Sequence, residues 1–157
     1  MTVKKVILIG SGVRETYIAK RLFIDTNGEI AITVILTKRN PEISSYAKNI
    51  FLVNDFSLET FLCNSHIESF INKNFRDIDF AVIGPEQPLK EGFADFFESI
   101  GIRTIGPKMN LAKLETSKLY CREFLRKNRL SHLSPMWCDI SGMTKFNVYK
   151  NFKFLNK

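Results

Sequence analysis

The sequence is poor in the residues from which metal centres and disulfide frameworks are built. It has three widely spaced cysteines, Cys63, Cys121 and Cys138, and two histidines among 157 residues. Because it has no C-x-x-C pair and no cluster of histidines, the sequence argues against a zinc site and a disulfide scaffold. We therefore expect reduced thiols, no metal-binding residues and a cytoplasmic location.

Long apolar runs are also missing. The run Val6–Ile9 near the amino terminus is much shorter than the hydrophobic segment of a signal peptide. No run approaches the roughly 20 residues of a membrane-spanning helix. Ser-His-Asp and Walker patterns are absent as well. We predict no membrane partner and no catalytic residue.

Excess positive charge is missing from the first two thirds of the chain. The formal net charge is +7, yet residues 1–107 carry 12 basic and 13 acidic side chains, whereas residues 108–157 carry 11 and 3. Because no aromatic and basic residues alternate along a face, nucleic acid is not expected to be the main partner. The basic end of the chain fits RNA, the phosphates of a ligand, or solvent.

Short β-branched runs alternate with amphipathic segments along the chain. Five strands are predicted, in VKKVILIG, EIAITVILT, NIFLV, IDFAVIG and IRTIG. Four helices are predicted, in RETYIAKRLFID, SLETFLCNSHIESFINKNF, PLKEGFADFFESI and NLAKLETSKLYCREFLRKN, the last with Asn110 as N-cap. No helix is predicted between the second and third strands. This order predicts an α/β fold, a Rossmann-like open parallel sheet with helices on both faces.

Glycine-bearing turns follow three of the predicted strands: Gly10-Ser11-Gly12, Gly84-Pro85-Glu86 and Gly106-Pro107-Lys108. In a parallel sheet the carboxyl ends of the strands share one edge, where open α/β sheets bind ligands. We expect the functional site at that edge.

The first turn, Gly10-Ser11-Gly12-Val13-Arg14-Glu15, connects a strand to a helix. Such a turn aims backbone N–H groups and the positive end of a helix dipole at one point, which suits a phosphate. Gly10 permits the tight turn, Gly12 permits close approach of a ligand, and Arg14 adds a cation. The alternative is a tight turn without a ligand.

Glu15 stands where a dinucleotide-binding turn has its third glycine. Lys38 and Arg39 stand where an NAD site would have an acid, and two cations there leave NADP as an alternative ligand. In the second turn, the carboxylate of Glu86 is suited to an amine or to ribose hydroxyls. The alternative role for Glu86 is to cap a helix that starts at Pro88.

Three segments, VILIGSGVRE, VIGPEQPLKEGFAD and IGPKMNLAKLETSKLYCREFL, resemble in order and spacing the phosphoribosylamine–glycine ligases, also called glycinamide ribonucleotide synthetases. The resemblance covers most of residues 3–135. It implies the pre-ATP-grasp type of N-terminal domain of an ATP-dependent carbon–nitrogen ligase of purine biosynthesis. The implied small-molecule partners are 5-phosphoribosylamine, glycine and ATP, and the implied cofactors of the complete enzyme are ATP and Mg²⁺.

By the same resemblance, residues of the first two turns line the phosphosugar site and a lysine lies near the ATP phosphates. The residues carried over are Gly10, Ser11, Gly12, Arg14 and Glu15 in the first turn, Gly84, Pro85 and Glu86 in the second, and Lys118 for ATP. The basic stripe that contains Lys118 also includes Arg122, Arg126 and Arg129 and is otherwise interpreted as a solvated face.

This sequence departs from the family at Val13 and Thr16, where the family has glycine and histidine, and in the loop 37–41, which lacks the family's P-G-N segment. The ATP-grasp core has no counterpart in it, so we expect no ligation, and no tight binding of ATP or Mg²⁺, by this chain alone. A non-catalytic remnant or an autonomous phosphate-ligand binding module is the alternative. The predicted domains are 1–107 for phosphosugar binding, 108–135 for a helix leading out, and 136–157 for the start of a truncated ATP-grasp region or a tail.

Overall fold

The computed structural model describes residues 3–143, and its centre is a parallel sheet. The strands are β1 Lys4–Ile9, β2 Ile30–Leu36, β3 Ala47–Leu52, β4 Phe80–Ile83 and β5 Thr104–Ile105. They lie in the order β3-β2-β1-β4-β5, and each neighbouring pair is parallel. All seven residues of β2 are buried, as expected for a strand covered on both faces. The five predicted strands and the open parallel sheet are confirmed.

Helices cover both faces of this sheet. They are α1 Val13–Asp25, α2 Pro41–Tyr46, α3 Leu58–Leu62, α4 Ser65–Asn74, α5 Glu86–Lys90, α6 Phe93–Ser99, α7 Met109–Thr116 and α8 Lys118–Lys127. One core joins Val6 and Leu8 of β1 to Ala19 of α1 and Ile43 of α2. The second core joins the opposite face of β1 to α3, α4 and α6, and phenylalanines of α3 and α6 form a cluster within it. The predicted two-sided arrangement is therefore confirmed.

By its internal contacts the chain divides into two compact units, 1–116 and 117–157. Helix α7 belongs to the first unit, because Ala112 is fully buried in its core and Asp95 Oδ2 accepts a hydrogen bond of 2.8 Å from Met109 N. The compact unit thus extends nine residues past the predicted boundary at residue 107. Residues 144–157 of the predicted segment 136–157 lie outside the described residues.

Helix α2 is absent from the sequence-based prediction. Its N-cap is Asn40, whose Oδ1 accepts a hydrogen bond of 3.1 Å from Ile43 N, and Pro41 occupies the first helical position. Both residues are typical of a helix start, and the buried Ile43 anchors the helix to the core. The prediction failed because α2 has only six residues between its cap and the start of β3. Six residues are too few to show an amphipathic pattern.

Three of the predicted long helices are each two shorter ones, because a residue inside the pattern begins a new helix. Asn64 caps α4, Gly92 precedes α6 with a φ of 85°, and Ser117 caps α8 by accepting a hydrogen bond of 3.2 Å from Tyr120 N. Side-chain oxygens of Asn and Ser compete with the helical backbone, and glycine permits the left-handed turn. Asn110 lies inside α7 and is not its N-cap, which corrects that prediction.

Candidate functional site

The first two glycine turns meet at the point where the winding of the sheet reverses. From β1 the chain proceeds through β2 to β3 on one side, and β4 and β5 lie on the other side. Strands β1 and β4 are neighbours, and the helices after them cover opposite faces. Such a switch point opens a crevice at the carboxyl ends of the strands. Gly84 N donates a hydrogen bond of 3.1 Å to Ile9 O, which ties the two turns together.

Glu15 projects its carboxylate into the space between these turns. Only 3% of the residue is exposed, and its Oε2 accepts a hydrogen bond of 2.8 Å from Gly12 N. This is half of a capping box, because a glycine N-cap has no side chain with which to return the bond. Its Oε1 lies 3.3 Å from Arg14 Nε. A buried carboxylate is thereby given both a backbone donor and a counter-charge.

The glycines make room for Glu15. A Cβ on Gly10 or Gly84 would overlap the side chain of Glu15, and one on Gly12 would lie 2.8 Å from Glu15 Oε2. The amides of Gly10 and Gly12 are both occupied, because Gly10 N donates to Ile35 O at 3.1 Å and Gly12 N donates to Glu15. The amides of these two glycines are therefore not among the free donors of the turn, and the role predicted for Gly12 in ligand approach stays a prediction.

Other backbone donors remain at the start of α1. The first intrahelical bond beyond the cap is donated by Thr16 N to Gly12 O at 3.0 Å. The N–H groups of Val13, Arg14 and Glu15 precede it and have no partner within the helix by position. The site thus keeps three amides and the helix dipole for an anion, even though the glycine amides are taken.

Arg14 connects the two turns through its guanidinium. Its Nη2 lies 3.4 Å from Glu86 Oε1, in addition to the contact with Glu15. Burial alone would lower the pKa of Arg14, but the charges of Glu15 and Glu86 and the hydrogen bonds that they accept outweigh it and raise that pKa. The pKa of Glu86 is lowered, first by its own backbone N–H and then by Arg14. About half of each side chain in the Arg14–Glu86 pair is exposed, so both can meet a ligand.

A second hydrogen-bond network joins the first turn to the loop after β2. Ser11 Oγ accepts a hydrogen bond of 2.9 Å from Thr37 N, and Asn40 Nδ2 donates to Ser11 O at 3.1 Å. Asn40 Nδ2 also donates to Thr16 Oγ1 at 3.0 Å, and Thr16 Oγ1 donates to Gly12 O at 2.9 Å. Thr16 therefore belongs to the wall of the site. The sequence signal for this network was the Asn40-Pro41 pair, which indicates a helix start and so places Asn40 at the end of the loop after β2.

The structure brings eight of the nine predicted site residues to one edge of the sheet. They are Gly10, Ser11, Gly12, Arg14, Glu15, Gly84, Pro85 and Glu86. The ninth, Lys118, is exposed and is the first residue of α8 in the second unit. Helix α5 begins at Glu86 itself, with Pro85 as N-cap, and not at Pro88. The basic stripe is shorter than predicted, because α8 ends at Lys127 and Arg129 lies beyond it. Within the stripe, Arg126 pairs with Glu123 at 2.6 Å.

Among residues 3–143, no three histidine, cysteine, aspartate or glutamate side chains are grouped to hold a metal ion. Within the same part of the chain, no helix is both long enough and apolar enough to cross a membrane. The three cysteines are free thiols.

Comparison with known proteins agrees with this arrangement. A family model described as "Phosphoribosylglycinamide synthetase, N domain" matches residues 4–115, which cover the sheet and both turns. Among solved structures, the biotin carboxylase subunit of pyruvate carboxylase is similar over 80% of this chain, with a TM-score of 0.49 and 18% identity. A likeness of that degree adds nothing to the topology.

Many curated phosphoribosylamine–glycine ligases are similar in sequence. The ligase of Methanocaldococcus jannaschii is 36% identical over 123 residues, or 78% of this chain and 26% of that protein. The ligase of Methanopyrus kandleri is 33% identical over 94% of this chain and 29% of its own length. The ligase of Pyrococcus horikoshii is 34% identical over 98% of this chain and 30% of its own length. The chain thus spans about a quarter to a third of the length of these relatives, and it belongs to the phosphoribosylglycinamide synthetase N-domain family.

Proposed function

We propose that the switch-point site binds the phosphorylated ribose of 5-phosphoribosylamine. We further propose that the protein acts within a phosphoribosylamine–glycine ligase, which joins glycine to that amine at the expense of ATP. The observation that carries the proposal is the position of Arg14, whose guanidinium is held between Glu15 and Glu86 at 3.3 and 3.4 Å beside the first turn of α1. Family membership supports this substrate class, and the site has groups that suit it.

The roles of the residues follow from their chemistry. Arg14 and the N–H groups at the start of α1 are suited to the phosphate, because a guanidinium and a helix N-terminus both favour an anion. Glu86 carries a half-exposed carboxylate with a lowered pKa, which accepts hydrogen bonds from an amine or from ribose hydroxyls. Glu15 is buried and shapes the two turns, and Ser11 with Gly84 and Pro85 forms the wall.

The chemical step is assigned to the complete enzyme. There ATP activates the carboxylate of glycine as an acyl phosphate, and Mg²⁺ offsets the charge of the phosphates. Lys118 is proposed to lie near those phosphates, since it matches the lysine of the family's S-K motif. The residues at the switch point only hold and orient the phosphosugar. A cytoplasmic location completes the proposal and stays a prediction.

Titration of the 157-residue chain with ribose 5-phosphate tests the binding site. We expect the amide signals of Gly10, Gly12 and Glu86 to shift in nuclear magnetic resonance spectra, and the unphosphorylated sugar ribose to cause no such shifts. Arg14→Gln should weaken binding about tenfold, the loss typical of one charge-assisted contact to phosphate. Arg21→Gln is the matched control, because Arg21 lies on α1 and pairs with Asp25 away from the turn. Unshifted amides at all three positions would refute the site.

The NADP alternative rests on Lys38 and Arg39, which are exposed at the end of β2. Titration with NADPH separates the two hypotheses. A dinucleotide site predicts tighter binding of NADPH than of ribose 5-phosphate, whereas the proposed phosphosugar site predicts the reverse.

A further inference from the structure

A second cleft lies at the other end of the sheet from the glycine turns. Its volume is about 400 Å³, within the range of small-molecule sites. Its floor includes Ile7 and Ala31 from the first halves of β1 and β2, together with Phe70 of α4 and Ile78. The carboxyl-end site described above contributes none of its residues to this lining.

Cationic and polar side chains surround this apolar floor. Lys5, Lys48, Lys73 and His66 all line the cleft, and no aspartate or glutamate is among its lining residues. Lys5 is neutralised by Asp77, whose Oδ2 lies 3.0 Å from Lys5 Nζ. Within the part of the chain that the structure describes, the side chains of Lys48, Lys73 and His66 form no hydrogen bond or ion pair. The cleft therefore carries uncompensated positive charge.

Two features of the backbone place these groups together. Lys48 is the extra residue of a β-bulge on the edge strand β3, since Ile32 pairs with Ala47 and Thr33 pairs with Asn49. Bulges re-aim a side chain, and they recur beside functional sites.

On the facing helix α4, His66, Ser69 and Lys73 are spaced by three and four residues and so share one face. The bulge and this helical face bring two lysines and a histidine to opposite sides of the same cleft.

The cleft is also lined by a hydrogen-bonded polar pair, Asn49 of β3 and Thr33 of β2. Asn49 Nδ2 donates a hydrogen bond of 3.1 Å to Thr33 Oγ1, and Thr33 is buried. This bond anchors Asn49 beside the bulged Lys48. The result is a cleft whose apolar floor is exposed mainly at Phe70 and is bordered by two unpaired ammonium groups, an imidazole, an amide and a hydroxyl.

We propose that this cleft is a second binding site, for a phosphorylated small molecule of the nucleoside monophosphate class. Lys48 and Lys73 carry two positive charges, which match a phosphate dianion. His66 and Ser69 add hydrogen-bonding groups. Phe70, the partly exposed side chain of the apolar floor, packs against the flat part of the ligand, and the buried Ile7, Ala31 and Ile78 support it from below. A neutral nucleoside lacks the group that the lysines hold, so the phosphate determines the affinity.

AMP is the probe for this site, with adenosine as the unphosphorylated comparison. In the isotope-labelled 157-residue chain, AMP should shift the amide signals of Asn49, Ser69 and Lys73, and binding should weaken as salt is added. Adenosine at the same concentrations should leave these signals in place. Equal shifts with adenosine, or no shifts at these positions with AMP, would overturn the proposal.

Substitutions to methionine remove a lysine charge but keep most of the aliphatic stem. Lys48→Met and Lys73→Met should each weaken AMP binding at the cleft about tenfold, the cost of one charge-assisted contact. Lys90→Met and Lys113→Met are matched controls, because both lysines are exposed on helices outside the cleft. If all four variants bound AMP alike, the signals would reflect general attraction of an anion to a basic chain and the site would be rejected. Signals from Gly10 and Glu86 report on the carboxyl-end site separately, so the two proposals fail independently.

Discussion

At the scale of single residues, the side chain of Glu15 explains why glycines stand at positions 10, 12 and 84, which a dinucleotide fingerprint does not explain. Its side chain fills the space beside Gly10, Gly12 and Gly84, and its carboxylate takes the amide of Gly12. The sequence shows the spacing of these glycines, but it does not show that they make room for Glu15. Gly84 lies 69 positions from Glu15, and no local pattern indicates that the two touch.

A double-mutant cycle between Gly84 and Glu15 tests this packing. Gly84→Ala should lower the free energy of unfolding by about 1–3 kcal/mol, because its Cβ overlaps the side chain of Glu15. In the background of Glu15→Ala the same change should cost much less, since the obstructing atoms are gone. Urea unfolding of the four proteins measures the coupling.

Gly101 provides the control for this cycle. Its φ is 86°, and a Cβ there would meet nothing within 4 Å. Gly101→Ala should therefore cost about 1 kcal/mol from backbone strain alone and show no coupling to Glu15→Ala. Additive costs for Gly84→Ala and Glu15→Ala would show that the glycine is not needed for Glu15.

The pH dependence of stability should have a contribution from Asp79. Its carboxylate accepts hydrogen bonds from Lys4 Nζ at 2.7 Å and Lys5 N at 2.9 Å, and these bonds lower its pKa in that order of importance. A pKa lowered by folding stabilises the protein above the unfolded value of about 4, and the gain disappears as pH falls through the folded value.

Asp79→Asn should accordingly reduce the free energy of unfolding by about 1 kcal/mol at neutral pH. The difference from the parent chain should shrink as the pH falls below about 4. Asp77→Asn is the control, because its pair with Lys5 is exposed and should contribute less than about 0.5 kcal/mol. A difference for Asp79→Asn that stayed constant down to low pH would exclude the proposed linkage. Thermal unfolding across the pH range gives both curves.

At the scale of elements, strands were easier to predict than helix boundaries. A buried parallel strand is a continuous β-branched run, and IAITVIL is such a run in β2. Helix boundaries depend on single capping residues, and Asn64 and Ser117 each begin a helix inside a continuous amphipathic pattern. Periodicity alone therefore predicted which segments are helical but merged neighbouring helices.

Asn40 is the capping residue whose substitution should cost the most stability. It caps α2 through Ile43 N, and its amide also donates to Ser11 and Thr16. Asn40→Ala should lower the free energy of unfolding by about 2 kcal/mol, because the cap and both amide contacts are lost. Asn40→Asp keeps the capping oxygen and loses only the donors, so its cost should be about half as large.

Asn64 is the control for the Asn40 variants, because its side chain only caps a helix and joins no further network within residues 3–143. Its side chain accepts from His66 N and Ile67 N and makes no other hydrogen bond in the described residues, so Asn64→Ala should cost about 1 kcal/mol. Equal costs for the alanine and aspartate substitutions at Asn40 would mean that the amide contacts to the first turn contribute nothing to stability.

At the scale of the whole molecule, the sequence predicted which turns meet at the carboxyl-end edge of the sheet, but not how their residues are arranged there. The order of strands and glycine turns predicted a ligand-binding edge, because parallel topology places the carboxyl ends together. It did not predict that Gly10 and Gly12 have occupied amides, nor that Lys48 and His66 border one cleft. The bond from Gly10 N to Ile35 O depends on the pairing of β1 with β2, and the shared cleft depends on the bulge in β3. The bond from Gly12 N to Glu15 is local, but Glu15 is held there by packing against Gly84.

The two compact units predict where the chain can be divided. Every residue of both cores lies before position 117, so a chain of residues 1–116 should unfold cooperatively and keep its binding of ribose 5-phosphate. A chain of residues 1–107 should be less stable by about 2 kcal/mol or more, because it loses the buried Ala112 and the packing of α7 against α5 and α6. Circular dichroism during urea unfolding compares the two. Equal stability would place the boundary at residue 107 after all, and failure of residues 1–116 to fold would show that the first unit depends on residues beyond it.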